Sequence, residues 1–351
     1  MMRGSATATD LPGRTMDQPP IPVHPTAQHG EDLLEVTLRP RRFDQFVGQR
    51  RVVDNLKLAL TAAEARGDIL DHLLLSGLPG LGKTTLGGIV ARQMGTQLHE
   101  TSGPAIHRPA DLVGILTNLK RGDFLFIDEI HRLPRPVEEK LYSAMEDFVV
   151  DIVLEQGPAA RSLRLSMEPF TLIGATTREG LLGAPFRARF GLQEKVELYP
   201  PADLATILAR SAEALQVKIH DDACPYLAQR SRGTPRVANR LLRRVRDLAQ
   251  EKYGNVIDLD VAREGLGRLG IDERGLCAID RRILETLMHH GGGPVGLKTI
   301  AVAVGEEART IEDVYEPYLI REGLLNRTSQ GRCASAAALD AMGARDRGLL
   351  F

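Results

Sequence analysis

The segment Gly77-Leu78-Pro79-Gly80-Leu81-Gly82-Lys83-Thr84 constrains this chain more than any other, because an apolar run, His72 to Gly77, leads into it and a helical stretch follows it. The spacing is that of a phosphate-cradling loop, G-x-x-x-x-G-K-[ST]. Its glycines let backbone N–H groups turn inward as an anion nest, the following helix adds the positive end of its dipole, and Lys83 reaches the β and γ phosphates. Thr84, with Thr85 beside it, offers a hydroxyl to Mg²⁺. The bland alternative is a glycine-rich turn with no ligand, and the strand-before, helix-after context weighs against it.

Two further apolar runs, Asp123 to Asp128 and Phe170 to Thr177, read as strands that end, like the first, in polar or glycine-bearing turns. Open α/β sheets place their ligands at such ends. Alternating strands and amphipathic helices from about Leu38 predict an α/β domain, a parallel sheet covered by helices. The second run delivers Asp128 and Glu129 together. Mg²⁺ is a hard ion that keeps several waters, so Asp128 is expected to act on it through water, and Glu129 to polarise the attacking water. Alone, an Asp-Glu pair after a strand is usually a solvated turn; downstream of a phosphate loop the weight reverses. Gly174-Ala175-Thr176-Thr177-Arg178 closes the third strand and offers Thr176 first, Thr177 second, as a γ-phosphate sensor. Phe186-Arg187-Ala188-Arg189-Phe190-Gly191 carries two arginines at the domain edge, either a solvated pair or a guanidinium given to a neighbouring subunit's phosphates. Gly233-Thr234-Pro235-Arg236 starts a helix from which Arg236 is placed to reach back to the phosphates.

At 351 residues, with 43% hydrophobic and 26% charged side chains, the chain can bury a sizeable core and favours two or three domains. Formal net charge is −1, so any DNA contact must be local rather than a global field. The three cysteines, Cys224, Cys277 and Cys333, form no CxxC pair, which argues against a zinc site or a disulfide framework and fits a reducing cytoplasm. No apolar run of about 18 residues suggests a membrane span. The reading divides the chain into a disordered arm (1–35), a large ATPase domain (36–200) ending at Pro200-Pro201, a small helical domain (201–270), a winged-helix head (271–343) and a tail (344–351).

The ordered series Leu38 to Gln49 (LRP-x-x-F-x-x-F-V-G-Q), the phosphate loop, Thr101 to Pro104, Phe124 to Leu133 (FLFIDEIHRL), Ala144 to Phe148 (AMEDF), Gly157 to Ser162, Phe170 to Arg178, Gly233 to Asp247, Gly292 to Leu297 and Thr310 to Ile320 resembles the AAA+ ATPases. Within them it resembles the RuvB family, over about residues 36 to 343. The resemblance implies a large ATPase domain, a helical lid and a winged-helix head. It also implies homo-hexameric rings on duplex DNA arms that, held to a four-way junction by RuvA, move the crossover by ATP hydrolysis before RuvC resolves it. Matched residue by residue, Leu38 and Arg39 lie against the nucleotide. Gly80, Lys83, Thr84 and Thr85 form the phosphate and Mg²⁺ cradle, with Glu146, Asp147 and Phe148 in another nucleotide-adjacent stretch. Arg189 is the arginine finger, Tyr199 the nucleotide-adjacent tyrosine at the domain junction, and Arg236 the second sensor. The segment 149–165 corresponds to a β-hairpin that docks on RuvA, although its apolar residues would equally suit a buried strand.

The head departs from the family. Arg327-Thr328-Ser329-Gln330-Gly331-Arg332 replaces the usual R-T-P-R-G-R in the wing, leaving Arg327 and Arg332 as phosphate contacts and predicting weaker, less salt-dependent DNA binding. Gly305-Glu306-Glu307-Ala308-Arg309-Thr310 shifts an arginine by one place, and Glu155-Gln156 stands where the hairpin commonly has glycine. Two rival readings remain: an AAA+ loader or scaffold whose ATP state controls partner binding, and a transcription activator. The activator would want polar base-reading side chains, whereas Lys298 to Val304 is mostly apolar.

Overall fold

Alternate side chains along the three apolar runs fill two separate cores. Leu73, Leu75, Phe124, Phe126, Ile173 and Ala175 pack on one face of a sheet, and Leu74, Leu125, Ile127 and Leu172 on the other. This is the period-2 consequence of strands covered on both sides. The computed structural model describes residues 37–153 and 162–342. The N-terminal arm, the tail and the hairpin turn at Glu155-Gln156 lie outside the described residues.

The first seven strands are β1 (Leu73–Ser76), β2 (Leu98–Ser102), β3 (Phe124–Asp128), β4 (Val149–Val153), β5 (Ser162–Ser166), β6 (Thr171–Thr176) and β7 (Leu192–Lys195). Five of them form a parallel sheet in the order β2-β3-β6-β1-β7. In-register pairing of Ser76 with Thr176, and of Ile127 with Gly174, aligns the carboxyl ends of β1, β6 and β3. The helix Lys83–Gln93 lies close on the sheet because it carries Gly87 where a Cβ would meet Phe126 at 2.8 Å.

β4 and β5 form a separate antiparallel hairpin, with Val149 opposite Ser166. Val150 is fully buried whereas Leu163 is 44% exposed. The base of the hairpin is core, as a buried strand would be, and Leu163 on β5 faces solvent.

Four helices follow, Pro201–Ala214, Ala223–Gln229, Pro235–Lys252 and Leu259–Arg268, and their apolar faces join the core on one side of the sheet. Beyond them Ala278–His289, Leu297–Val304 and the helical run 308–321 enclose a third core with the antiparallel pair Leu325–Arg327 and Arg332–Ala334. Three helical segments and a two-stranded wing make a winged helix. No helix among the described residues is long and apolar enough to cross a membrane.

The seam between lid and head is polar and partly buried. Arg232 donates to Asp280, which is fully buried and also accepts the Cys277 N–H at 2.8 Å. The Arg232 guanidinium stacks on the Tyr318 ring at 4.6 Å, and Tyr318 donates to the Arg274 carbonyl at 2.7 Å. Removing one partner of a buried pair strands the other charge, so Asp280→Ala is expected to lower stability by about 3–5 kcal/mol. Urea unfolding followed by circular dichroism measures this.

Candidate active site

The phosphate loop folds as its glycines require. Gly77, Gly80 and Gly82 take φ of 144°, 78° and 97°, values that L side chains rarely adopt. Lys83 begins the helix after β1, is 7% exposed, and its ammonium donates to the carbonyls of Gly77 and Leu78 at 2.8 and 2.9 Å. Burial lowers its pKa, while Asp128 and Glu129 across the site oppose that shift. Thr84 and Thr85 are half-buried in the first turn.

β3 ends in Asp128, whose carboxylate accepts the Glu129 N–H at 2.9 Å. Glu129 has φ of 51°, an uncommon conformation for a residue with a Cβ. Gly103 holds it there: a Cβ on Gly103 would lie 2.5 Å from the Glu129 carbonyl oxygen. The Glu129 carboxylate is 3.7 Å from Arg132 and 3.9 Å from Nε2 of His131.

His131 was not singled out from sequence as a site residue, although it stands in the quoted Asp-Glu-Ile-His run. Its Nδ1 is 2.9 Å from the Thr176 hydroxyl, which also accepts the Arg178 N–H at 3.0 Å. A Thr176 O–H donating to Nδ1 puts the ring proton on Nε2, on the Glu129 side; a proton on Nδ1 is instead donated to the same hydroxyl oxygen. Burial lowers the pKa of His131 and keeps the imidazole neutral, against the pull of Glu129.

These contacts revise the sensor assignment. Thr176 is fully buried with its hydroxyl committed to His131, so it is not free to meet a phosphate. Thr177, one residue past β6, is half-exposed and lines a cleft of about 490 Å³ with Gly77, Leu78, Lys195 and Glu197. Strand alternation explains the difference, because consecutive residues point to opposite sides and the strand's last register position decides which hydroxyl emerges.

The second domain touches the loop directly. A Cβ at Gly80 would meet that of Arg236 at 2.8 Å, and the Arg236 N–H points to the Gly80 carbonyl at 3.4 Å. Tyr199, 4% exposed, donates its hydroxyl to the Leu81 carbonyl at 3.1 Å and its N–H to the Gly233 carbonyl at 2.9 Å, joining loop to lid. Leu38 is buried and Arg39 half-buried at the start of the described chain.

Arg189 lies elsewhere. Its guanidinium donates to the Pro185 carbonyl at 2.7 Å, pairs with Glu146 at 3.2 Å and stacks over Tyr142 at 4.4 Å. Asp147 is exposed, and Phe148, at φ 52°, packs edge-on to Phe170. Thus Arg189 and the Glu146 to Phe148 stretch gather at one edge.

In the wing, Arg327 is exposed and pairs with Glu312 at 2.6 Å. Arg332 is not the free cation expected from sequence. It is 9% exposed, and its guanidinium is held by buried Glu316 at 2.5 and 3.2 Å, which fastens the wing to the helix beneath.

A helical lid seated on a phosphate loop at the end of a parallel sheet is the arrangement of an AAA+ P-loop ATPase, which binds and hydrolyses ATP. Residues 38–196 match the Holliday junction DNA helicase RuvB P-loop domain, 199–272 the RuvB AAA lid domain and 273–343 the RuvB C-terminal winged helix domain. The chain is 55% identical over 306 residues to the Holliday junction branch migration complex subunit RuvB of Nitratidesulfovibrio vulgaris, covering 87% of this chain and 96% of that one. It is 56% identical over 307 residues to the same subunit of Chlorobium luteolum, covering 87% and 89%. The solved Thermotoga maritima RuvB Holliday junction branch migration motor superposes with a TM-score of 0.80 at 46% identity, over 88% of this chain and 98% of that one. This chain belongs to the RuvB family.

Gly103→Ala would push the Glu129 backbone out of its left-handed turn. Turnover of ATP is expected to fall about 10²-fold, with nucleotide affinity little changed. Steady-state hydrolysis beside titration with a fluorescent ATP analogue separates the two quantities.

Proposed function

We propose that this chain is an ATP-driven DNA motor that moves the crossover of four-way junctions as a homo-hexameric ring, with RuvA holding the junction and RuvC resolving it. The observation that carries the reading is the contact of Arg236 and Tyr199 with the phosphate loop. A lid that rests on Gly80 and Leu81 must shift when the phosphates there change, and the lid carries the winged head. The names of the relatives supply the junction as substrate.

In this reading the loop from Gly80 to Lys83 cradles the β and γ phosphates. The donor types suit Mg²⁺: the Asp128 carboxylate at the end of β3 and the hydroxyls of Thr84 and Thr85 in the first turn after the phosphate loop are all oxygen donors. The ion would neutralise charge on the phosphates. Glu129, held at its angle by Gly103 and 3.9 Å from Nε2 of His131, orients and polarises the attacking water. Thr177 takes the γ-phosphate sensor role that Thr176 was expected to fill, and Arg236 senses the phosphates from the lid. Leu38, Arg39 and Tyr199 lie against the nucleotide. Arg189, at the edge with Glu146, Asp147 and Phe148, serves the site of the neighbouring subunit. The hairpin with exposed Leu163 offers RuvA its docking face, since an exposed apolar side chain gains by being covered. Arg327 contacts a DNA phosphate, while Arg332 shapes the wing.

The deciding experiment is ATP hydrolysis with and without a synthetic four-way junction and RuvA. Hydrolysis is expected to rise with both and to vanish in Lys83→Ala. Arg189→Ala alone is expected to lose about 10³-fold or more in turnover. Mixed with wild type it suppresses activity beyond simple dilution, because each altered subunit disables its neighbour's site. Hydrolysis indifferent to junction and RuvA would instead favour the loader or scaffold reading.

A further inference from the structure

Arg178 stands outside the ATP machinery described above, yet it is tied to both ends of the molecule. Its backbone N–H donates to the Thr176 hydroxyl at 3.0 Å, and that hydroxyl meets His131, whose Nε2 lies 3.9 Å from the Glu129 carboxylate. Its guanidinium crosses to the head, hydrogen-bonding Asp313 and lying 3.7 Å from Glu312. Glu312 is shared: it accepts Arg327 of the wing at 2.6 Å and faces Arg332 at 3.8 Å. Asp313 has a second cation, Arg309, at 3.4 Å. Both carboxylates lie in a π-helical turn, Ile311–Tyr315. Such widened turns are frequent at functional sites.

We infer that Arg178 is a positioning residue through which DNA bound at the wing acts on ATP hydrolysis, with Glu312 as the shared carboxylate that exchanges partners. The inference rests on the motor reading above. A DNA phosphate competes with Glu312 for Arg327. Once Arg327 turns to the phosphate, Glu312 loses its nearest cation and closes on Arg178, 3.7 Å away. The Arg178 backbone is hydrogen-bonded to Thr176, so movement of its side chain is passed to Thr176, His131 and the side of Glu129. The two arrangements differ in which arginine Glu312 holds, and DNA favours only one of them, as a coupling between sites requires. Linkage makes the effect mutual: the nucleotide state that draws Arg178 toward the sensor strand alters the hold of Glu312 on Arg327, and so the affinity for DNA. The side chains involved are roughly a third exposed, apart from the more exposed Arg327, so the pairs are weak enough to exchange.

The test uses the full chain with junction DNA and RuvA, measuring basal turnover, DNA-stimulated kcat, KM for ATP and, separately, DNA affinity by fluorescence anisotropy. Asp313→Asn is expected to keep basal turnover, KM and DNA affinity while DNA stimulation of kcat falls about fivefold or more. The conservative Asp313→Glu, which keeps an anion beside Arg178, retains most of that stimulation, whereas Glu312→Gln, which removes the carboxylate that changes partners, loses it, a pattern that a merely structural contact would not give. Stimulation in Asp313→Asn equal to wild type would overturn the inference, as would loss of DNA affinity in step with stimulation, or full stimulation in Glu312→Gln. Wild-type protein that DNA does not stimulate would overturn the motor reading itself, a result distinct from the other three.

Discussion

Everything in the ATPase half depends on how close the lid lies to the phosphate loop. Gly80 has no Cβ, and the space one would occupy is filled by Arg236, so the first turn of the helix Pro235–Lys252 sits directly on the loop. The same glycine takes a φ of 78°, which turns the loop's N–H groups inward. One missing side chain therefore serves two requirements: it frees the backbone to bind anions, and it admits the lid. Tyr199 adds a hydrogen bond to Leu81 from the other side of the junction. Its burial raises the phenol pKa well above the usual range, so the hydroxyl stays a donor across any working pH.

The two halves are joined by unlike contacts. Lid and ATPase share one apolar core, running from Leu73 and Phe126 through Leu204 to Leu241, and movement between them must repack it. Lid and head meet through Arg232, Asp280 and Tyr318, a buried polar seam that is costly to break and so moves as a unit. Head and ATPase meet through half-exposed ions at Arg178, Glu312 and Asp313, whose energies are small and whose partners exchange readily. Of the three, the contact at Arg178 is the one that rearranges at least cost.

What sequence spacing revealed was local. The phosphate loop, the Asp128-Glu129 pair and the three strands were legible because each is a short contiguous pattern with one physical solution. Thr176 was preferred over Thr177 because the two differ by a single position, and only the register of β6 decides which points into the site. Arg332 read as a free cation because its partner, Glu316, sits on another element and the burial of both is a tertiary fact. His131 was visible in the Asp-Glu-Ile-His run, yet its use depends on a hydroxyl 45 positions away in sequence. Arg178 carried no signal, since its partners lie 134 and 135 positions downstream in the head, 312 − 178 and 313 − 178.

In the proposed ring, Arg189 would let a neighbour control the reaction without any element of this chain refolding. In the single chain its guanidinium is satisfied by Glu146, the Pro185 carbonyl and the face of Tyr142, while its Nε is buried without a partner. Glu146 is more than half exposed, so that ion pair contributes no more than about 1 kcal/mol. The stacking on Tyr142 fixes the plane of the guanidinium and leaves its charge available. A triphosphate on an adjacent subunit presents far more negative charge than one screened carboxylate, and an arginine already held in plane gives up little entropy on engaging it. In the ring proposed above, a guanidinium pre-oriented by contacts weak enough to yield would tie hydrolysis to assembly.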